Sequence, residues 1–355
     1  MVPFIISGAY GAGFRVKKRK KTPDWHTKAN CFKEFPCTIM KYFILIYICA
    51  FGLVSNAQNY EEIKHLQLSN GQLEGTLRLP DSLIFTSQKL PLALIIAGSG
   101  PTDRNGNNPL MTNNSLKMLA EGLAENGIAS LRYDKRGVGT SKIDSLNEKN
   151  IRFKDFVSDA SAWIAYLNKD QRFGSLAIIG HSEGALIGVL ASQISEVQAY
   201  VSLAGVGTKA ADIIREQLAA QPEFIQKISG TILDSLETGK IVAEVPPMLY
   251  ALFRPSVQPY LISWFAVNPQ EEIQKLKIPV LIIQGTQDIQ VGTKEAELLH
   301  SAKPDASKIL INGMNHILKP AGLERSKNIA TYNDPNIAID PQLIIEIAHF
   351  VNSLQ

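Results

Sequence analysis

The stretch IIGHSEGALIG, residues 178–188, places one serine between two glycines directly behind a short apolar run. Backwards, SLAIIG (175–180) reads as a buried strand; forwards, ALIGVLASQI (185–194) reads as a helix. A G-x-S-x-G pattern at a strand-to-helix junction is where a serine can be raised on a sharp turn at a sheet edge. Gly180 and Gly184 give room for such a turn, and the new helix N-terminus favours negative charge nearby. Five residues do not separate this reading from an ordinary buried serine. The decision rests on residues far along the chain.

From residue 60 onward, apolar runs alternate with helical periodicities. IKHLQLSNGQLEGTLRLP (63–80) holds two extended stretches around Asn70-Gly71, a hairpin signal. LPLALIIAG (90–98), IASLRYD (128–134), VQAYVSLAG (197–205), IPVLIIQG (278–285) and SKILING (307–313) read as further strands. Helical spacing marks 113–126, 153–167 and the closing stretch 341–354. Such alternation predicts a mostly parallel sheet with helices on both faces, and the opening hairpin an antiparallel edge. Residues 206–277 break the rhythm, being too long for a simple crossover. They lean helical, are interrupted by six prolines, and carry Tyr250, Phe253, Tyr260, Trp264 and Phe265. They read as a helical cap over the carboxyl edge of the sheet, its aromatics mostly core and a minority lining a pocket.

A serine hydroxyl is a poor nucleophile at neutral pH; it needs a base within reach and a third group to orient that base. TQD follows the strand IPVLIIQG and sets Asp288 at its carboxyl end; MNH follows SKILING and sets His316 in the loop beyond. Serine, acid and histidine therefore occur in an order known for nucleophile elbows, with Ser182, Asp288 and His316 as the catalytic candidates. For Asp288, a turn or helix-cap role is the competing reading. His181 is expected to point away along the sheet edge. Acyl transfer also needs donors for an oxyanion. The backbone N–H of Glu183 is one candidate; the N–H of Ser99 in GSGPTDRNG (98–106) is the other, with Gly100 as its alternative. That loop lacks the spacing of a phosphate cradle. The Glu183 side chain reads as a solvated acid at a helix start, with a carboxylate for substrate as the alternative, and RYDKRGVGTS (132–141) as a structural turn whose Asp134 and Arg136 satisfy neighbouring loops, with a direct substrate contact as the alternative.

Taken in order, GSGPTDRNG, RYDKRGVGTS, GHSEG, GTQD and MNH resemble the α/β-hydrolases of the serine-hydrolase superfamily. The likeness is nearest to bacterial carboxylesterases grouped with serine aminopeptidase-like S33 hydrolases, and covers about residues 60–355. It implies an α/β-hydrolase fold and hydrolysis of small-molecule carboxylic esters through an acyl-enzyme. Removal of N-terminal residues from peptides is an alternative, for which Glu216, Glu223, Glu237 or Glu244 of the cap could pair with a substrate amine. Thioester cleavage is a weaker one. Ala97 stands where a histidine often precedes the oxyanion-loop glycine, which leaves a backbone donor intact.

Composition bounds the rest. The chain has 355 residues, 45% hydrophobic and 19% charged, with net charge +3. Residues 1–57 hold nine Lys/Arg against two acids, a surplus of seven, so the remaining 298 residues carry −4. The basic run KKRKK (17–21) thus lies outside a mildly acidic body, and no nucleic-acid partner is expected. Cys31, Cys37 and Cys49 all precede residue 58, which removes disulfides, thiolate catalysis and cysteine metal sites from the body. No His/Asp/Glu cluster has ligand spacing, so no metal or cofactor is expected. MKYFILIYICAFGLVSNAQ begins at Met40 and reads as a signal peptide cleaved after Ala57, with residues 1–39 an upstream extension. A signal anchor with a basic tail is the alternative. The expected layout is therefore a leader over 40–57 and a hydrolase domain over 58–355, with its cap at 206–277, periplasmic or secreted and without lasting membrane attachment.

Overall fold

The computed structural model of the chain describes residues 60–80 and 89–354. The leader, its basic run, the three cysteines and the cleavage site lie outside the described residues.

Within them one sheet of nine strands runs through the molecule. Strands β1 (Glu61–Leu68) and β2 (Gly71–Arg78) form the hairpin, closing at Leu68 opposite Gly71. β2 pairs antiparallel with β4 (Ala129–Tyr133) and with the two-residue β5 (Lys142–Ile143). β3 (Leu90–Ile96), β6 (Phe173–His181), β7 (Ala199–Leu203), β8 (Val280–Gly285) and β9 (Ser307–Ile311) complete the sheet. The order is β1-β2-β4-β3-β6-β7-β8-β9, and every pairing from β4 to β9 is parallel. All residues of β4, β7 and β8 are buried, which is why apolar side chains occupy both faces of β7 and β8, while β4 also buries Ser130 and Arg132.

Helices cover both faces, as the alternation predicts. On one side α1 (Ser115–Glu125) and the closing helix α11 (Pro341–Asn352) share a core with the sheet. In α11, Leu343, Ile347, Ala348 and Val351 are buried along one stripe, Asp340 caps the Gln342 N–H, and Pro341 sits in the first turn, where its missing N–H costs nothing. On the other side α2 (Phe153–Leu167) and α3 (Glu183–Ile194) bury Trp163, Ile164, Ile187 and Val189. α3 starts two residues before the apolar periodicity does, because the turn at Ser182 leads directly into it.

Between β7 and β8 run five helices: α4 (Ala210–Leu218), α5 (Glu223–Glu237), α6 (Tyr250–Phe253), α7 (Gln258–Phe265) and α8 (Pro269–Ile273). They bury a core of their own around Ile214, Leu233, Leu236, Phe253 and Phe265. α7 is fastened to α2: Trp264 stacks on Phe153 at 5.9 Å, and Ser263 Oγ accepts the Phe153 N–H at 2.8 Å. After β8 come α9 (Thr293–Ala302), β9, and α10 (Arg325–Thr331). No helix among the described residues is long and apolar enough to cross a membrane.

Candidate active site

Ser182 follows β6 directly and has φ +56° and ψ −120°, a backbone region that a non-glycine residue occupies only under constraint. The constraint is visible on both sides of it. Its N–H donates to the Leu203 carbonyl at 2.9 Å. A Cβ on Gly180 would lie 2.3 Å from the Gly184 carbonyl oxygen, and one on Gly184 would lie 2.3 Å from that of Ile96. The turn is pressed against itself and against β3, so glycine is required at both flanks and the serine is pushed up from the sheet.

Asp288 lies in the turn after β8 and His316 in the loop after β9. The two are bonded, His316 Nδ1 donating to Asp288 Oδ2 at 2.7 Å. The Asp288 carboxyl is fully buried. Burial works against its charge, but His316 and the N–H groups of Val291 and Gln290 outweigh it and hold the group below the usual carboxylate range. Gln284 Nε2 donates to the same carboxylate at 3.0 Å. With Nδ1 committed, Nε2 is the nitrogen left to accept a proton. His316 and Ser182 border one small pocket of about 50 Å³, together with Gly98, Ser99 and Gln290.

His181 departs from the sequence reading. Its ring does not point away but packs 4.9 Å from that of His316, and its Nε2 donates to the His316 carbonyl at 2.8 Å. Glu183 also departs: its side chain is 3% exposed rather than solvated, 3.7 Å from the buried Lys135 ammonium, and borders the same cavity as Tyr260. Sequence alone could not see either contact, because the partners come from β9's loop and from RYDKRGVGTS.

The Glu183 N–H is the first of α3 and donates to no group among the described residues; the Ser99 N–H is likewise unbonded. The Ser99 loop is held from several directions. Thr102 Oγ1 donates to the Ser99 carbonyl at 2.9 Å, Asp134 accepts the Arg104 N–H at 2.8 Å, and Lys135 Nζ donates to the Gly98 carbonyl at 2.5 Å. Arg136 instead binds Asp159 of α2 in bidentate fashion. The RYDKRGVGTS turn is therefore structural, as its composition suggests, and two of its three central charges act on the Ser99 loop.

A second network escaped the sequence reading. Asn315, next to His316, donates to Asn328 Oδ1 at 3.1 Å and to Thr331 Oγ1 at 2.7 Å, both on α10. Asn328 in turn donates to the carbonyl of Gln287, next to Asp288, at 2.7 Å. One short helix thus ties the histidine loop to the acid loop. Nothing apolar marks it in the sequence; its buried residues are Asn328 and Thr331.

Ser182 also borders a larger cavity of about 390 Å³, which adjoins the small pocket at Ser99, Ser182 and Gln290. Ile213, Ile214, Leu252, Val257, Leu261 and Trp264 make its walls apolar, and Glu183, Arg254, Gln217 and Gln290 add polar groups. Glu216, Glu223, Glu237 and Glu244 do not line it. Among the described residues no group of three or more His, Cys, Asp and Glu is arranged to hold a metal ion.

Residues 112–243 match the family described as Serine aminopeptidase, S33. The chain is 24% identical over 267 residues to Esterase EstD of Thermotoga maritima, covering 73% of this chain and 61% of that protein, so it spans about three fifths of its relative's length. Among solved structures, Est1E from Butyrivibrio proteoclasticus with ferulic acid bound is similar at a TM-score of 0.56 and 18% identity, over 82% of this chain and 99% of that one. The Pyrococcus furiosus esterase PF2001 gives 0.53 and 15%, over 82% and 91%. Proline iminopeptidase of Mycobacterium smegmatis gives 0.52 and 15%, over 82% and 98%. At such identities the structural likeness speaks for the fold. The strand order, the strained turn at Ser182 and these likenesses together give the chain the α/β-hydrolase fold.

Proposed function

We propose that the protein is a serine hydrolase that cleaves small-molecule carboxylic esters through an acyl-enzyme. The observation that carries this reading is His316, bonded through Nδ1 to Asp288 and bordering the same small pocket as Ser182. Ser182 Oγ attacks the acyl carbonyl while His316 Nε2 takes its proton. Asp288 holds the imidazole in its tautomer and stabilises the imidazolium. The Ser99 and Glu183 N–H groups receive the oxyanion. His316 then protonates the leaving alcohol, and water, activated by the same nitrogen, releases the acid. The name of the Thermotoga relative agrees with ester cleavage.

The position of His316 also gives the substrate a direction. The general acid must reach the leaving oxygen. His316 borders the 50 Å³ pocket and not the 390 Å³ cavity. The alcohol therefore leaves on the narrow side, and the apolar cavity takes the acyl group. An aminopeptidase needs a carboxylate free to meet a substrate ammonium. The cap glutamates do not line the cavity, and Glu183, which does, is engaged by Lys135. The leader reading puts the mature enzyme outside the cytoplasm, which argues against a coenzyme A thioester as substrate.

The test is turnover by protein expressed from Met40, whose exported form should begin at Gln58. It should hydrolyse p-nitrophenyl butyrate, leave aminoacyl p-nitroanilides intact and label with a fluorophosphonate. Ser182→Ala should abolish labelling and lower kcat at least about a thousandfold. Equal labelling of wild type and Ser182→Ala, or anilide cleavage without ester cleavage, would refute the proposal.

A further inference from the structure

We propose that Lys135 is a positioning residue that sets both backbone donors of the oxyanion hole, one through the Gly98 carbonyl and the other through the Glu183 side chain. The inference rests on the ester-hydrolase reading above and assigns a task to a buried lysine which that mechanism does not use.

The first half follows from peptide planarity. The Gly98 carbonyl and the Ser99 N–H belong to one rigid unit and point in opposite directions. A donor that fixes the oxygen therefore also fixes the line along which the N–H points. Lys135 Nζ donates to that oxygen at 2.5 Å, and no other group among the described residues does. The anchor is needed because Gly98 has no side chain to restrict its backbone and is followed, one residue on, by Gly100. The location is also right. A Cβ on Gly98 would come within 3.2 Å of Ser182 Cβ, so this peptide lies against the nucleophile.

The second half concerns the residue after the nucleophile. Glu183 carries the other candidate donor in its backbone, and its carboxylate lies 3.7 Å from Lys135 Nζ. Both side chains are 3% exposed. An uncompensated carboxylate there would repel the oxyanion forming beside its own N–H. Lys135 offsets that charge, and the contact draws Glu183, at the first turn of α3, towards the Ser99 loop. Tyr260 of α7 borders the same cavity as Glu183, and burial, helped by the Glu183 charge, holds its phenol protonated. A buried ion pair adds little net stability over a well-packed apolar pair. Fold stability therefore does not account for a lysine at this place, whereas alignment of two donors does.

The experiment compares Lys135→Met, Lys135→Arg and the double variant Lys135→Met/Glu183→Gln with wild type. It reads kcat and KM for p-nitrophenyl butyrate, Ki for an alkyl trifluoromethyl ketone that forms a tetrahedral adduct, and the melting temperature. In Lys135→Met, kcat should fall about a hundredfold, the scale of a lost oxyanion donor, with KM within about twofold and Ki rising in step with the loss in kcat. The double variant removes the unpaired buried charge, so its melting temperature should recover while its kcat stays low. Lys135→Arg, which can still donate to Gly98, should regain part of kcat. Recovery of kcat along with melting temperature in the double variant would reduce Lys135 to a charge partner and overturn the proposal. So would a rise in KM with kcat unchanged, or an unaltered Lys135→Met. A wild type without ester turnover would refute the ester-hydrolase reading, and this inference with it; turnover in wild type with no effect at Lys135 would refute this inference alone.

Discussion

Beside Ser182, the His181 imidazole is enclosed by the histidine loop and gives its Nε2 proton to the His316 carbonyl. Burial, and then the neighbouring His316 ring, push its pKa down from 6.5 to about 3. Above pH 6.5 the folded and unfolded chains are both neutral at this residue. As pH falls below 6.5 the unfolded chain takes up a proton that the folded chain refuses until about pH 3, so stability is lost across that window at about 1.4 kcal/mol per pH unit. Urea unfolding of wild type at pH 7 and pH 5 should therefore differ by about 2 kcal/mol more than that of His181→Asn, in which the proton site is gone. Equal differences in the two proteins would show that His181 is not held neutral. The residue also shows where reading a sequence stops. Ser182, Asp288 and His316 stood out because each follows an apolar strand, whose end has a known place in a parallel sheet. The direction of His181 and the burial of Glu183 are set by neighbours distant in sequence, and no local pattern encodes those.

The elements that were legible are those with an apolar period: the six parallel strands β3, β4, β6, β7, β8 and β9, the β1–β2 hairpin, and helices α1, α2, α3 and α11. α10 was not, because its seven residues turn Asn328 and Thr331 inward instead of an apolar stripe. Its worth lies in hydrogen bonds that hold the loops of Asp288 and His316 together. Asn328→Ala would leave the half-buried Gln287 carbonyl without its donor and remove one of two acceptors from the buried Asn315. An unsatisfied buried group costs about 1–3 kcal/mol, and denaturant unfolding should show a loss in that range. Because the loosened loops carry the proposed base and its partner, kcat should drop about tenfold with little change in KM, as positioning effects on chemistry require. A matching rise in KM would instead place the effect on substrate binding.

At the scale of the molecule, Ser182 stands where two spaces of unequal size meet, one between sheet and cap helices and the other beside His316. If the acyl group fills the large apolar one, isomeric esters should separate. Ethyl hexanoate and hexyl acetate have the same atoms but place the long chain on opposite sides of the scissile bond. The kcat/KM ratio should favour ethyl hexanoate by at least about tenfold, the value of one to two methylenes in an apolar pocket. A preference for hexyl acetate would reverse the assignment of the two sides while leaving ester cleavage itself intact. The fold class could be foreseen from strand–helix alternation, whereas the shape of the cavity depends on how five short helices pack, which periodicity does not specify. The order of strands along the chain has one more consequence. The proposed nucleophile follows β6, whereas the acid and base proposed for it follow β8 and β9, beyond the entire run of cap helices. During synthesis a chain that has just completed the serine turn still lacks both proton-handling partners. On the proposed mechanism, a growing or prematurely terminated polypeptide can therefore expose Ser182 without being able to use it, and hydrolytic competence arrives only with the final fifth of translation.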